Sequence, residues 1–191
     1  MRPAIPEDVL DFWFGPHEAR HAPRPEWFRK SDAFDALIRE RFLATHTAAR
    51  SGRLDHWKQA PRDALALVIV LDQFSRNLFR DSAEAFSGDA VALSLARSMV
   101  VLGWDRELTP LERGFVYLPF EHSEALADQD EALRLFADLR QFPETSDLYD
   151  WAEKHHRVIA RFGRFPHRNA VLGRASTTEE LVFLTEPGSR F

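Results

Sequence analysis

The chain has 191 residues, with 25 basic and 30 acidic side chains for a formal net charge of −5, and it contains no cysteine. That length suits one domain, 1–191, able to bury roughly 70% of its unfolded surface without covalent staples. The missing cysteine excludes disulfides, thiolate metal centres and a cysteine nucleophile, and the acidic balance argues against nucleic acid as a partner. The longest apolar run, Ala64 to Leu71, is far short of the about 20 residues that span a bilayer, so no membrane partner is expected. The first residues show no basic start followed by an apolar stretch of signal length, which fits a cytoplasmic protein. Sixteen Phe and five Trp stand against two Tyr; these rings are read as core, because Phe has no polar handle that favours exposure.

Taken in order, the segments show helical periodicity. Pro6 opens a short helix, "PEDVLDFWFG", that Gly15 and Pro16 end. A loop from Pro16 to Pro25 follows. Phe34, Leu37, Ile38 and Phe42 then lie at i, i+3, i+4 and i+8 on an amphipathic helix that stops by Gly52. Pro61 starts "PRDALALVIVLDQFSRNLFRD", whose front half is apolar all round and so reads as a central, buried helix. Another helix runs from about Asp89 to Leu102. Thr109, Pro110 and Glu112 form a capping-box start for the next, in which Pro119 is expected to introduce a kink or a split. "DQDEALRLFADLRQF" and "TSDLYDWAEKHHRVIARFG" are two further amphipathic helices, and "STTEELVFL" is a last short one capped by Ser176 or Thr177. No alternating stretch is bounded by hairpin turns. The fold class is therefore all-α, with eight to nine helices joined mainly by short loops.

Four polar clusters interrupt this scaffold. In "LDQFSRNLFR", Asp72 and Arg76 stand at i and i+4 while Gln73, Asn77 and Arg80 form the neighbouring stripe. An exposed intrahelical pair would need no amides beside it, so a pocket floor is the competing reading. In "FEHSE", Glu121 and Glu124 share a face, and His122 points about 100° away from Glu121. These are acid/base groups and also metal ligands. The Glu-x-x-His spacing of di-metal bundles is absent, so neither a metal nor another cofactor is expected. In the third cluster Leu148, Trp151, His155, Ile159 and Phe162 trace one apolar face, which makes His155 a core histidine, while His156 faces another side. Arg157, Arg161 and Arg164 form a basic stripe where a helix C-terminus favours cations.

The last cluster is "RFGRFPHRNAVLGR". Five arginines lie between Arg157 and Arg174, inside a window from Lys154 to Thr178 without any Asp or Glu. Arg164, His167, Arg168 and Asn169 crowd together around Phe165 and Pro166. Arginine without lysine favours fixed, bidentate geometry over a solvated face.

With "FWFG", "WFRK", "LDQFSRNLFR", "PFEHSE" and "HRVIARFGRFPHRNAVLGRASTTEELVFL" in this order, the chain resembles a bacterial family catalogued as domain of unknown function 924, from Pro6 to Leu184. The resemblance implies an all-helical fold similar to the right-handed, antiparallel tetratricopeptide-like arrays, and it implies no activity. Its motif positions here are Asp72, Gln73, Arg76, Asn77, Arg80, Glu121, His122, Glu124, His156, Arg157, Arg164, His167, Arg168 and Asn169. If these converge, arginines hold a small anionic ligand carrying phosphate or carboxylate, the amides orient it, and Glu121, His122 or His167 moves a proton. Two other readings compete: a peptide-binding helical module that clamps a carboxylate, and a purely structural arginine cluster neutralised by Asp72, Glu121 and Glu124.

Overall fold

The computed structural model describes residues 2–16 and 22–189; part of the expected 16–25 loop lies outside them. Nine α-helical segments are present among the described residues, and no strands. They are α1 Pro6–Phe14, α2 Asp32–Arg50, α3 Pro61–Ile69, α4 Ser75–Leu78, α5 Asp89–Val101, α6 Pro110–Glu121, α7 Leu126–Ala137, α8 Leu148–Phe162 and α9 Thr178–Phe183. Between α3 and α4 the backbone stays helical through a π turn, Val70–Phe74. The stretch from Pro61 to Leu78 is therefore one rod, and the fold is all-helical with eight rods.

The starts follow from local chemistry. Proline occupies the first turn of α1, α3 and α6, where its missing N–H leaves nothing unsatisfied. Ser31 accepts from the Phe34 N–H to cap α2. Reciprocal capping boxes start α6 at Thr109 with Glu112 and α9 at Thr177 with Glu180. Pro119 does not split α6. It lies in the last turn, and the helix runs on to Glu121 with His122 as its C-cap.

The α3 rod is the centre of the fold. Every residue from Ala64 to Leu71 is at most 1% exposed, and α1, α5 and α6 pack around it. Beside it Phe12, Trp13, Phe34, Phe42, Phe74 and Phe115 form a continuous ring network with centroids 4.9–6.1 Å apart. A smaller cluster of Val158, Ile159 and Phe165, joined by Phe162 and Phe183, anchors the C-terminal segment on α8. Trp151, expected on the apolar face of α8, is instead 46% exposed, with the Lys154 ammonium 3.8 Å from its ring centre. No described helix is long and apolar enough to cross a membrane.

Candidate functional site

The site starts at the π turn. Its extra residue per turn loosens the backbone ladder, and Ser75 closes the gap by donating its hydroxyl to the Leu71 carbonyl at 2.6 Å. Because that proton is committed, the Ser75 oxygen accepts from Nε2–H of His46 at 2.8 Å. Burial, and secondarily Arg50, push the His46 pKa down to about 4, which suits a neutral donor. Gly88 closes over the same turn: a Cβ there would stand 2.1 Å from the Leu71 oxygen.

This turn sends Asp72, 1% exposed, into the interior. Its Oδ1 accepts from Nδ1 of His122 at 2.7 Å and pairs with Arg76 Nη1 at 3.0 Å, and its Oδ2 accepts from Gln73 Nε2 at 2.6 Å. Burial alone would raise the Asp72 pKa, but Arg76 and His122 outweigh it and hold the carboxyl well below its usual range. Burial and the Arg76 charge in turn depress His122, against the opposing pull of Asp72. The result is a carboxylate that fixes a neutral imidazole by its Nδ1–H. His122 Nε2 takes no hydrogen bond among the described residues and keeps its lone pair.

Two arginines flank this pair. Arg76 donates to the Asp72 carbonyl at 2.9 Å and grips Asp89 of α5 bidentately at 2.9 and 3.1 Å. Arg168 sits on the 3-10 turn Pro166–Arg168 and is only 7% exposed. Its guanidinium lies 4.6 Å from the Phe86 ring centre and 4.4 Å from that of Phe165. The nearest carboxylate oxygen, Oδ2 of Asp89, is 3.7 Å away, and its buried Nε has no hydrogen-bond partner among the described residues. Burial and the neighbouring Arg76 lower the Arg168 pKa to about 10. On the far side Glu121 pairs with Nδ1 of His155 at 2.9 Å, and the His155 ring lies 6.4 Å from that of His122. His167 packs against Phe165 at 5.6 Å.

The remaining expected residues go elsewhere. Arg164 grips Glu180 at 2.6 and 2.8 Å. Asn169 donates to the same carboxylate at 3.2 Å and accepts from Arg174 at 3.0 Å. Glu124 receives Arg174 at 2.7 and 2.9 Å and the Phe165 N–H at 2.8 Å. These groups lash the 164–180 segment to α9 and to the end of α6. The Arg164 hydrogen bonds bring the Glu180 pKa down to about 2. Asn77 and Arg80 both bind Asp35 of α2. His156 reaches Asp130, and Arg157 pairs with Glu153, both at the exposed surface. Asp72, Gln73, Arg76, His122 and Arg168 therefore form one constellation, Glu121 adjoins it through His155 and His167 packs on Phe165 beside it, Glu124, Arg164 and Asn169 hold the strap that carries Arg168, and the other four lie outside. Sequence reasoning did not select Asp89, Phe86 or His155 for the site. Asp89 was visible only as the acid opening α5, thirteen positions after Arg76.

No curated protein matches the chain. A solved structure, that of the protein of unknown function ATU0120 from Agrobacterium tumefaciens, is similar at 39% identity and a TM-score of 0.83, covering 95% of this chain and 97% of that one. The family model described as bacterial protein of unknown function (DUF924) matches residues 9–188, and with nearly the whole length accounted for, the chain belongs to that family.

Proposed function

We propose that the chain binds a small molecule through its phosphate or carboxylate group, held by Arg168 and Arg76, and that Nε2 of His122, oriented by Asp72, accepts a proton from the bound molecule. The observation that carries this reading is Arg168. A guanidinium has five donors in a fixed fork, yet this one is buried with a single carboxylate at 3.7 Å, and that carboxylate is already gripped bidentately by Arg76. Charge this deep is costly unless paired. The rings of Phe86 and Phe165 offset part of that cost, on the order of 2 kcal/mol for each desolvated cation–π contact. An anion on the open side of the fork would satisfy the rest. Beside it a neutral imidazole oriented by Asp72 has the protonation state of a general base near neutral pH. The proposal includes a single domain, tetratricopeptide-like stacking of the helices and a cytoplasmic location.

A structural lock is the second reading, favoured by the proximity of Asp89, which lets an internal carboxylate share both arginines. A peptide clamp fits less well, because a 7% exposed guanidinium has little room for a chain beside it. Thermal shift and calorimetry with inorganic phosphate and a panel of phosphorylated and carboxylated metabolites separate these. Binding is expected, and Arg168→Lys, which keeps the charge and removes the fork, should weaken it about 10- to 100-fold. No stabilisation by any of these anions, or equal binding by the lysine variant, overturns the anion site in favour of the lock.

A further inference from the structure

A cavity lined by neither Arg76 nor Arg168 has walls of a different chemistry. It has a volume of about 290 Å³ and opens between the Pro25–Trp27 turn, α6 and the start of α8. That size is at the lower end of the roughly 300–1,000 Å³ of ligand sites, so its occupant is small. Three aromatic rings form one corner. Phe115 meets Trp27 edge-to-face at 4.8 Å, Phe28 lies parallel to Phe115 at 6.3 Å, and Trp27 stands at 80° to Phe28. Phe28 is 67% exposed, a wasteful position for a ring that serves only the core. Gly114 lets the other wall close in, since a Cβ there would stand 2.8 Å from Leu148 Cδ1.

The rim is acidic. Arg24 also lines the cavity, but its guanidinium donates to the Phe12 and Trp13 carbonyls at 2.7 and 3.0 Å and lies 3.8 Å from Glu26. Its charge is thus matched locally. Glu144 and Asp147 line the same cavity and form no ion pair among the described residues. The positive end of α8 balances part of the Asp147 charge, and Glu144 has no such neighbour.

We infer that this cavity binds a small organic cation with an apolar shell, of the quaternary or alkylated ammonium class. The negative faces of aromatic rings attract such a cation, its methyl groups suit the apolar wall, and the two carboxylates supply the counter-charge. A neutral ligand would leave the carboxylates unused, and a bare inorganic cation would gain little from the rings. The site is independent of the proposed anion site, so either can fail alone.

Choline and its neutral isostere 3,3-dimethylbutan-1-ol test the proposal by NMR titration of the full chain. The Trp27 indole N–H, bonded to the Trp13 carbonyl at 2.9 Å, is the reporter. Choline should produce a saturable shift, and the alcohol should bind about 10-fold more weakly, as loss of a partly desolvated cation–π contact implies. Phe28→Ala, at an exposed position that leaves the core intact, and the double change Glu144→Gln with Asp147→Asn should each weaken choline several-fold, while Arg168→Lys leaves it unchanged. Equal binding of choline and the alcohol, unchanged affinity in both cavity variants, or no saturable shift with choline overturns the assignment.

Discussion

Asp89 occupies the position that an external anion would share. It neutralises Arg76 through two hydrogen bonds and reaches Arg168 only at 3.7 Å, so it competes with a ligand for one arginine while leaving the other under-coordinated. Asp89→Asn keeps the shape and removes the charge. With the site otherwise intact, phosphate affinity should rise about 10-fold, equivalent to about 1.4 kcal/mol, and the ligand-free protein should lose stability because two arginines then face each other. Paired calorimetry and thermal unfolding, with and without phosphate, measure both; weaker phosphate binding by the variant would show that the carboxylate belongs to the seat. Asp72, Arg76, His122 and Arg168 were legible in the sequence because charged and imidazole groups beside long apolar runs must find partners. Asp89 was not, because an acid in the first turn of a helix already has an explanation in the helix dipole. His155 was passed over for a similar reason, its apolar neighbours on α8 making a core role sufficient.

The rod from Pro61 to Leu78 was readable as a buried helix, but its π turn was not. The run that leads into the turn, Ala64 to Leu71, is apolar all round, so a one-residue change of pitch leaves no trace in its periodicity. That turn nevertheless decides where Asp72 points. Gly88 holds it from outside, and since its φ of −89° is open to any residue, the constraint there is contact, above all with the Leu71 oxygen at 2.1 Å and also with Ser75 Oγ at 3.2 Å. Backbone cannot yield as a side-chain tip can. Gly88→Ala should therefore destabilise by about 3 kcal/mol, the upper end for overpacking, read as a fall in urea midpoint with an unchanged slope. A change under about 0.5 kcal/mol, the range of ordinary surface substitutions, would mean that the turn is not pinned there. In the C-terminal strap, the arginines were plain from the acid-free window, but their destinations were divided among Glu180, Glu124 and Asp89. Glu124 was recognised; Glu180 was not singled out, and it carries the Arg164 pairing as well as the Thr177 N–H at 2.7 Å.

Helix content was legible throughout because each rod carries its own periodicity and start signals, whereas many of the contacts that build the site join distant segments, 50 positions apart for Asp72 with His122 and for Glu124 with Arg174. The same long-range burial sets the acid response of the fold. His46 and His122 have pKa values lowered on folding, and so do Asp72, Glu124 and Glu180. In every case the unfolded chain binds protons more readily, so stability falls as pH falls. The histidines act first, below their ordinary value of 6.5, and the carboxylates join below their ordinary 3.8 to 4.5. For His46 the drop from 6.5 to about 4 corresponds to a loss on the order of 3 kcal/mol by pH 4. His46→Gln keeps a donor for the Ser75 oxygen and removes the titration. Urea unfolding followed from pH 7 to pH 4 should therefore show a shallower decline for the variant, the two curves diverging below pH 6.5. Parallel curves would mean that His46 accepts its proton inside the fold without penalty, and that the Ser75 contact does not require the neutral ring.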